Sequence, residues 1–323
     1  MTAGTPVRVL LFAGGADARL LVAELGRAWP GARMEVQDPY GPSARADADV
    51  ALVWEADEAE LTRFVAARSE LRWLHTRASG LPGPVVDALR GRDVLVTNGS
   101  GTHGPAVAEH VVALLLAHFK GLPGLLDAQR ERRWSEPAEQ RELRGSTVGV
   151  LGLGDLGRST ARLLTALGAV VVGLRRDGGD VPEVTRTYRP EELPAFLRRL
   201  DVLVVATPLT GETRSLIGAA ELALLPRGAF LVNVGRGPVV CEEALLAALA
   251  DGHLAGAGLD VFAEEPLPAS SPLWSAPGVV LTPHCADGTE RTERRCRELL
   301  LDQVRRFSSG ERPLNVVDLD RGY

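Results

Sequence analysis

The sequence predicts an α/β protein of two doubly wound parallel-sheet domains with an interdomain cleft. Three observations carry this prediction. Short β-type runs alternate with helical patterns along the chain, the alternation pauses once at a longer helical stretch, and a second, cleaner α/β series follows it. At 323 residues the chain is long enough for two domains that each bury a core.

The first series opens with VRVLLFA, a strand run entering a Gly turn, and ARLLVAELGRAW, whose apolar residues recur at helical spacing. DVALVWE and EAELTRFVAAR repeat the pair, LRWLHTRA and GPVVDALRG repeat it again, and VLVTN ends the series as a strand. From Gly104 to about Gln129 the pattern is helical for longer, with Pro105 near its start and apolar residues nearly all round, as a buried helix requires. The second series runs through STVGVLGLGDLG, LDVLVVATPL, GAFLVNVGRG, AGAGLDVF and GVVLTPH. A last helical segment, TERTERRCRELLLDQVRRFSSG, precedes the tail.

Composition excludes several classes. With 45% hydrophobic and 24% charged residues the chain reads as a soluble globular protein. A formal net charge of -6 argues against nucleic acid as a partner, because polyanion binding needs a basic surface. No apolar run reaches the length of a membrane span, and MTAGTPVRVLLFAGG reads as a strand rather than a signal peptide, so a cytoplasmic protein without membrane contact is expected. Cys241, Cys285 and Cys296 are odd in number and lack metal-ligand spacing; free thiols and no metal site are expected.

VGVLGLGDLGRSTARLL places Gly152, Gly154 and Gly157 in G-x-G-x-x-G spacing between a strand pattern and a helical one. The first glycine permits the tight turn, the second lets backbone approach a pyrophosphate, and the third lets helix pack on strand. The helix N-terminus then presents unpaired N–H groups to the phosphates. The next strand ends where an acidic residue would take the ribose 2′-hydroxyl of NAD; Arg175 and Arg176 stand there instead. Paired guanidiniums suit a 2′-phosphate, which predicts NADP over NAD, with NAD still allowed. The bland alternative is a solvated strand end.

Three later segments bring polar residues to strand ends: Arg236 in LVNVGRGPVV, Asp260 and Glu265 in GLDVFAEEPLP, and His284 in VVLTPHCADGT. Ligands of doubly wound sheets bind outside the carboxyl ends of the strands, so these residues can converge on one site. Singly, Glu265 before Pro266 reads as a turn residue and His284 after Pro283 as a loop histidine. Together, an Arg for a planar carboxylate, a His for proton transfer and a Glu to orient it form a hydride-transfer set.

In this set and order, VAEH, GLGDLG, ATPLTGETRSLI, NVGRG, DVFAEEPLP and TPH resemble the D-isomer-specific 2-hydroxyacid dehydrogenases, a family that includes glyoxylate/hydroxypyruvate reductases. The resemblance implies two Rossmann-like or flavodoxin-like domains: a discontinuous substrate-binding domain of residues 1–103 with 287–323, and a dinucleotide-binding domain of residues 104–286. It implies that Arg236, Glu265 and His284 are catalytic. It also implies that Gly152, Gly154, Asp155, Leu156, Gly157, Thr207, Leu209, Thr213, Val234, Gly235, Asp260 and Ala286 line the cofactor, together with Arg236 and His284. TRASGLPG resembles the family loop whose backbone grips the substrate carboxylate, which points to Ala78, Ser79, Gly80 and Leu81 beside Arg236 and His284. The implied activity is NADPH-dependent reduction of a small 2-keto acid, by a homodimer built around the long-helix region. An NAD-linked enzyme of the phosphoglycerate or phosphite dehydrogenase type, and a non-catalytic NAD(P)-sensing corepressor-like protein, are the rival readings. His110 is expected to pack within the long helix. One departure stands out: Cys285 and Asp287 occupy positions beside His284 where the family commonly carries apolar or small residues.

Overall fold

The computed structural model describes residues 6–41, 47–136 and 140–321; the first five residues of the segment read as an opening strand lie outside them. The chain divides into two compact units, residues 1–102 with 289–323 and residues 103–288.

Among the described residues, the first unit holds β1 (Val7–Phe12), β2 (Ala32–Gln37), β3 (Val50–Val53), β4 (Trp73–Thr76) and β5 (Leu95–Thr97) in the order β2-β1-β3-β4-β5. All pairs are parallel, the flavodoxin-like arrangement. Helices α1 (Gly15–Ala28), α2 (Glu58–Ala66) and α3 (Gly83–Leu89) make the crossovers. β3 and β4 are buried throughout, which is why they read as continuous apolar runs. β2 lies at the sheet edge and carries Arg33 and Glu35; such an edge strand gives no apolar signal.

The C-terminal helix, Glu290–Ser309, belongs to this unit. The Thr289 hydroxyl caps it by accepting from the Thr292 N–H at 3.1 Å, and Gly310 ends it at φ +79°. Its Cys296, Leu300 and Val304 share one core cluster with Leu21 and Leu25 of α1 and Trp73 of β4. Val317 of the tail donates to the Val96 carbonyl of β5 at 2.8 Å.

That core holds a buried polar relay. The Trp73 indole N–H donates to the Thr97 hydroxyl oxygen at 2.9 Å, which leaves the Thr97 proton for His75 Nδ1, also at 2.9 Å. Burial pushes the His75 pKa down to about 3 from an ordinary 6.5. Because the folded value is lowered, the unfolded chain binds the proton first, so stability is fully present above pH 6.5 and falls between 6.5 and 3. Urea titrations at pH 7 and pH 5 are expected to differ by about 2 kcal/mol from this residue. The His75→Asn variant should show a shallower pH dependence; an unchanged one would remove His75 from the account.

The second unit holds β6 (Thr147–Leu151), β7 (Val170–Leu174), β8 (Arg186–Tyr188), β9 (Val202–Val205), β10 (Ala229–Asn233), β11 (Leu254–Leu259) and β12 (Val279–Leu281). Their order, β12-β11-β10-β9-β6-β7-β8, is the Rossmann order with one strand added, and the direction of winding reverses between β6 and β9. Helices α4 (Gly104–Phe119), α5 (Leu122–Arg130), α6 (Asp155–Ala166), α7 (Leu193–Leu197), α8 (Ala219–Leu224) and α9 (Glu242–Ala250) surround the sheet. In α6 the buried residues Gly157, Thr160, Ala161 and Leu164 form a stripe at helical spacing. The long helical stretch proves to be two helices: Gly121, at φ +63°, breaks it, and α4 and α5 meet at a 67° bend. The periodicity hid this break because Pro123 falls in the first turn of α5, where its missing N–H costs nothing. Among the described residues no single helix is long and apolar enough to cross a membrane.

Candidate active site

The glycine loop lies at the carboxyl end of β6, where the winding reverses. Gly152 sits at φ +96°, and a Cβ there would fall 2.9 Å from the Ala206 carbonyl oxygen, so this turn admits glycine alone. A Cβ on Gly157 would overlap the Gly152 carbonyl. Gly154, by contrast, is the N-cap of α6, makes no side-chain cap, and a Cβ on it would meet no atom within 4 Å. No side chain caps the first N–H groups of α6, which is the arrangement a phosphate satisfies. Nearby, Thr207 Oγ1 is buried without a hydrogen-bond partner among the described residues. An uncapped helix N-terminus and an orphaned hydroxyl fit a dinucleotide. Asp155 turns its carboxylate away, accepting from the Gly104 N–H of α4 at 3.1 Å, so only its backbone can face the loop. Leu156 packs against the core.

Arg175 is the first residue beyond β7, whose last carbonyl, Leu174, accepts from the Gly152 N–H at 2.9 Å. The arginine is therefore held beside the glycine loop. Its guanidinium grips Asp177 through two contacts, Nε to Oδ1 at 2.5 Å and Nη2 to Oδ2 at 2.8 Å. Arg176 approaches Glu212 at 3.6 Å, which brings the end of β7 to the loop after β9. In that loop Leu209 packs on the core, and the Thr213 hydroxyl is spent locally, donating to the Pro208 carbonyl at 2.7 Å.

The loop after β10 carries Val234, Gly235 and Arg236. Val234 is buried and extends the ladder to Val205. A Cβ on Gly235 would fall 2.7 Å from the Thr207 carbonyl oxygen, and one on Gly237 would overlap the Phe262 backbone. Two close approaches thus fix Arg236 between them. Its Nη1 donates to the Gly235 carbonyl at 2.7 Å. Burial lowers its pKa, opposed by the charges of Glu265 and Asp287, so the guanidinium is held short of water.

His284 lies 2.7 Å from Glu265 through Nδ1 and Oε2. A carboxylate only accepts, so Nδ1 carries the hydrogen and Nε2 is turned outward for chemistry. Glu265 is held in turn by the Phe262 N–H, which donates to Oε1 at 2.8 Å. The His284 backbone is left-handed at φ +48°, an uncommon conformation for a non-glycine residue. Asp260 over-determines it. That carboxylate is 2% exposed and accepts from the Thr282 hydroxyl at 2.6 Å and from the Cys285 and Ala286 N–H groups at 3.0 Å each. His110 of α4 joins from outside, with Nε2 2.9 Å from Thr282 Oγ1 and 3.6 Å from Asp260 Oδ1. His110, expected to pack within the long helix, shares a helix face with Val107 and Leu114 and also makes this polar contact. Beside the pair a cleft of about 590 Å³ opens, lined by His284, Glu265 and Thr282 together with Leu267, Trp274 and Leu281.

The departures from the family pattern also find partners. Asp287 pairs with His103 at 2.8 Å. Cys285 is exposed, but desolvation and the nearby Asp260 and Asp287 raise its pKa, leaving little reactive thiolate. In the first unit, the Ala78 to Leu81 loop is tied down by Gly99, whose N–H donates to the Ala78 carbonyl, and by Asn98, whose side chain donates to the Ser79 carbonyl, both at 2.9 Å.

Comparison with known proteins identifies the family. The family described as D-isomer specific 2-hydroxyacid dehydrogenase, NAD binding domain, matches residues 112–286. A glyoxylate/hydroxypyruvate reductase A of Yersinia enterocolitica is 33% identical over 85% of this chain and 88% of its own. A D-isomer specific 2-hydroxyacid dehydrogenase of Xanthobacter autotrophicus Py2, solved with NADPH and MES, is 35% identical with a TM-score of 0.80, covering 98% of this chain and 100% of that one. The NADPH-dependent glyoxylate/hydroxypyruvate reductase of Sinorhizobium meliloti, solved with NADP and sulfate, is 30% identical with a TM-score of 0.82 over the same shares. The chain therefore belongs to the D-isomer specific 2-hydroxyacid dehydrogenase family and is an NAD(P)-dependent oxidoreductase.

Proposed function

We propose that the protein reduces a small 2-keto acid of the glyoxylate or hydroxypyruvate type to its D-hydroxy acid, with NADPH as the preferred cofactor. The observation that carries the chemistry is the Glu265–His284 contact of 2.7 Å in the unit that also holds Arg236. The dihydronicotinamide, when bound, supplies a hydride to the carbonyl carbon. Arg236 holds the substrate carboxylate in its planar fork and polarises the adjacent carbonyl. His284, protonated on both nitrogens, gives its Nε2 proton to the carbonyl oxygen as negative charge develops there, while Glu265 keeps Nδ1–H aligned. Asp260, through Thr282 and two N–H groups, holds the His284 backbone in place. The backbone of Ala78 to Leu81 contributes further donors to the carboxylate, and residues 1–103 with 287–323 serve as the substrate domain. The cofactor preference rests on Arg175 and Arg176 and is supported by the NADPH-linked relatives. Pairing into a homodimer around α4 and α5 is supported by the exposed Leu122, Leu126 and Trp134, of which Trp134 is 98% exposed; sedimentation velocity tests it.

Steady-state rates with glyoxylate, hydroxypyruvate and bulkier keto acids, each with NADPH and NADH, test the whole reading. The expected result is turnover of the two small acids and a KM for NADPH about ten-fold or more below that for NADH. Arg175→Ala is expected to erase most of that difference, worth about 1.4 kcal/mol per factor of ten. An NADH preference untouched by the substitution would overturn the cofactor assignment while leaving the reaction intact.

A further inference from the structure

The sequence explains why two arginines stand at the end of β7, but not why each faces a carboxylate. Arg175 holds Asp177 with the two-point geometry that a guanidinium offers a phosphate. The pair is built by the chain itself: Gly178 N–H closes a turn onto the Arg175 carbonyl at 3.3 Å, Gly178 takes φ +61°, and the Gly179 N–H meets Asp177 Oδ1 at 3.4 Å. The turn therefore aims the carboxylate back at the arginine two residues earlier. The Asp177 side chain is 64% exposed and that of Arg175 33%, so water competes for the contact and the pair can be exchanged for another anion.

We propose that Asp177 is a resident anion in the 2′-phosphate seat, and that it sets how sharply the enzyme distinguishes NADPH from NADH. This rests on the reading that Arg175 takes the 2′-phosphate. For a 2′-phosphate to bind, the carboxylate must leave the guanidinium and then lie beside a second negative charge, which weakens NADPH binding. A bare 2′-hydroxyl asks for no such exchange. The ion pair stays, and a carboxylate oxygen, with a lone pair beyond those used by the arginine, accepts a hydrogen bond from the hydroxyl. One residue thus tempers the preference in both directions. Asp177 supplies the acceptor that the family's usual acidic residue would provide, displaced two positions along the chain.

The test is calorimetric and uses fragments rather than turnover. Adenosine 2′,5′-bisphosphate and adenosine 5′-monophosphate are titrated into the wild-type protein, Asp177→Asn and Arg175→Ala. The asparagine keeps an oxygen for the Gly179 N–H, so the turn survives; circular dichroism confirms the fold. Asp177→Asn is expected to bind the bisphosphate roughly 2- to 5-fold more tightly, the range of an exposed ion pair, and the monophosphate no more tightly than before. Unchanged or weaker bisphosphate binding in Asp177→Asn overturns the proposal. If Arg175→Ala binds the bisphosphate as well as the wild type does, the underlying 2′-phosphate assignment fails instead, and the two failures are told apart.

Discussion

Replacing His284 with Asn is expected to lower kcat by about 10²- to 10⁴-fold while leaving NADPH binding nearly unchanged. Asparagine is the informative choice because the residue sits at φ +48°, a region asparagine tolerates better than alanine does. The backbone bonds of Cys285 and Ala286 to Asp260 would then persist, and the loss would report the imidazole alone. Single-turnover absorbance decay of bound NADPH separates the hydride step from cofactor affinity. A variant that retained more than about a tenth of the wild-type rate would show that water or another group supplies the proton.

Arg236→Ala is expected to raise KM for the keto acid and to lower kcat, for a combined loss of about 3 kcal/mol, or some two orders of magnitude in kcat/KM. The expected size follows from the surroundings. The guanidinium is desolvated, with the charges of Glu265 and Asp287 acting on it, so removing it takes away the substrate carboxylate's partner while those negative charges remain. Arg236→Lys keeps the charge but not the planar fork, and should recover only part of the loss. If lysine restored full activity, the site would need a positive charge and no particular geometry.

The glycine loop was readable from spacing alone. The G-x-G-x-x-G pattern between a strand and a helix marks a backbone geometry, and the structure shows why: at Gly152 and Gly157 a side chain would meet backbone atoms. Buried parallel strands such as β3 and β9 announce themselves because both faces are apolar. β2 and β8 do not, since edge strands face water, and β8 is only three residues long. The polar contacts that hold His284 were beyond a linear reading for a different reason. His110 and Thr282 are separated by 172 positions, and Thr282 and Asp260 by 22. Spacing within a helix or strand carries no record of such pairs. Asp177 was hidden in the opposite way: it is only two positions from Arg175, yet only the turn at Gly178 reveals that it faces back.

The first unit is assembled from both ends of the polypeptide, with the second unit as one uninterrupted insertion. During synthesis, residues 103–288 can close their sheet as soon as they leave the ribosome, whereas β1, β4 and α1 must wait for Leu300 and Val304 to cover their shared apolar face. The N-terminal segment of the first unit therefore spends translation with an unfinished surface, whereas the second unit does not.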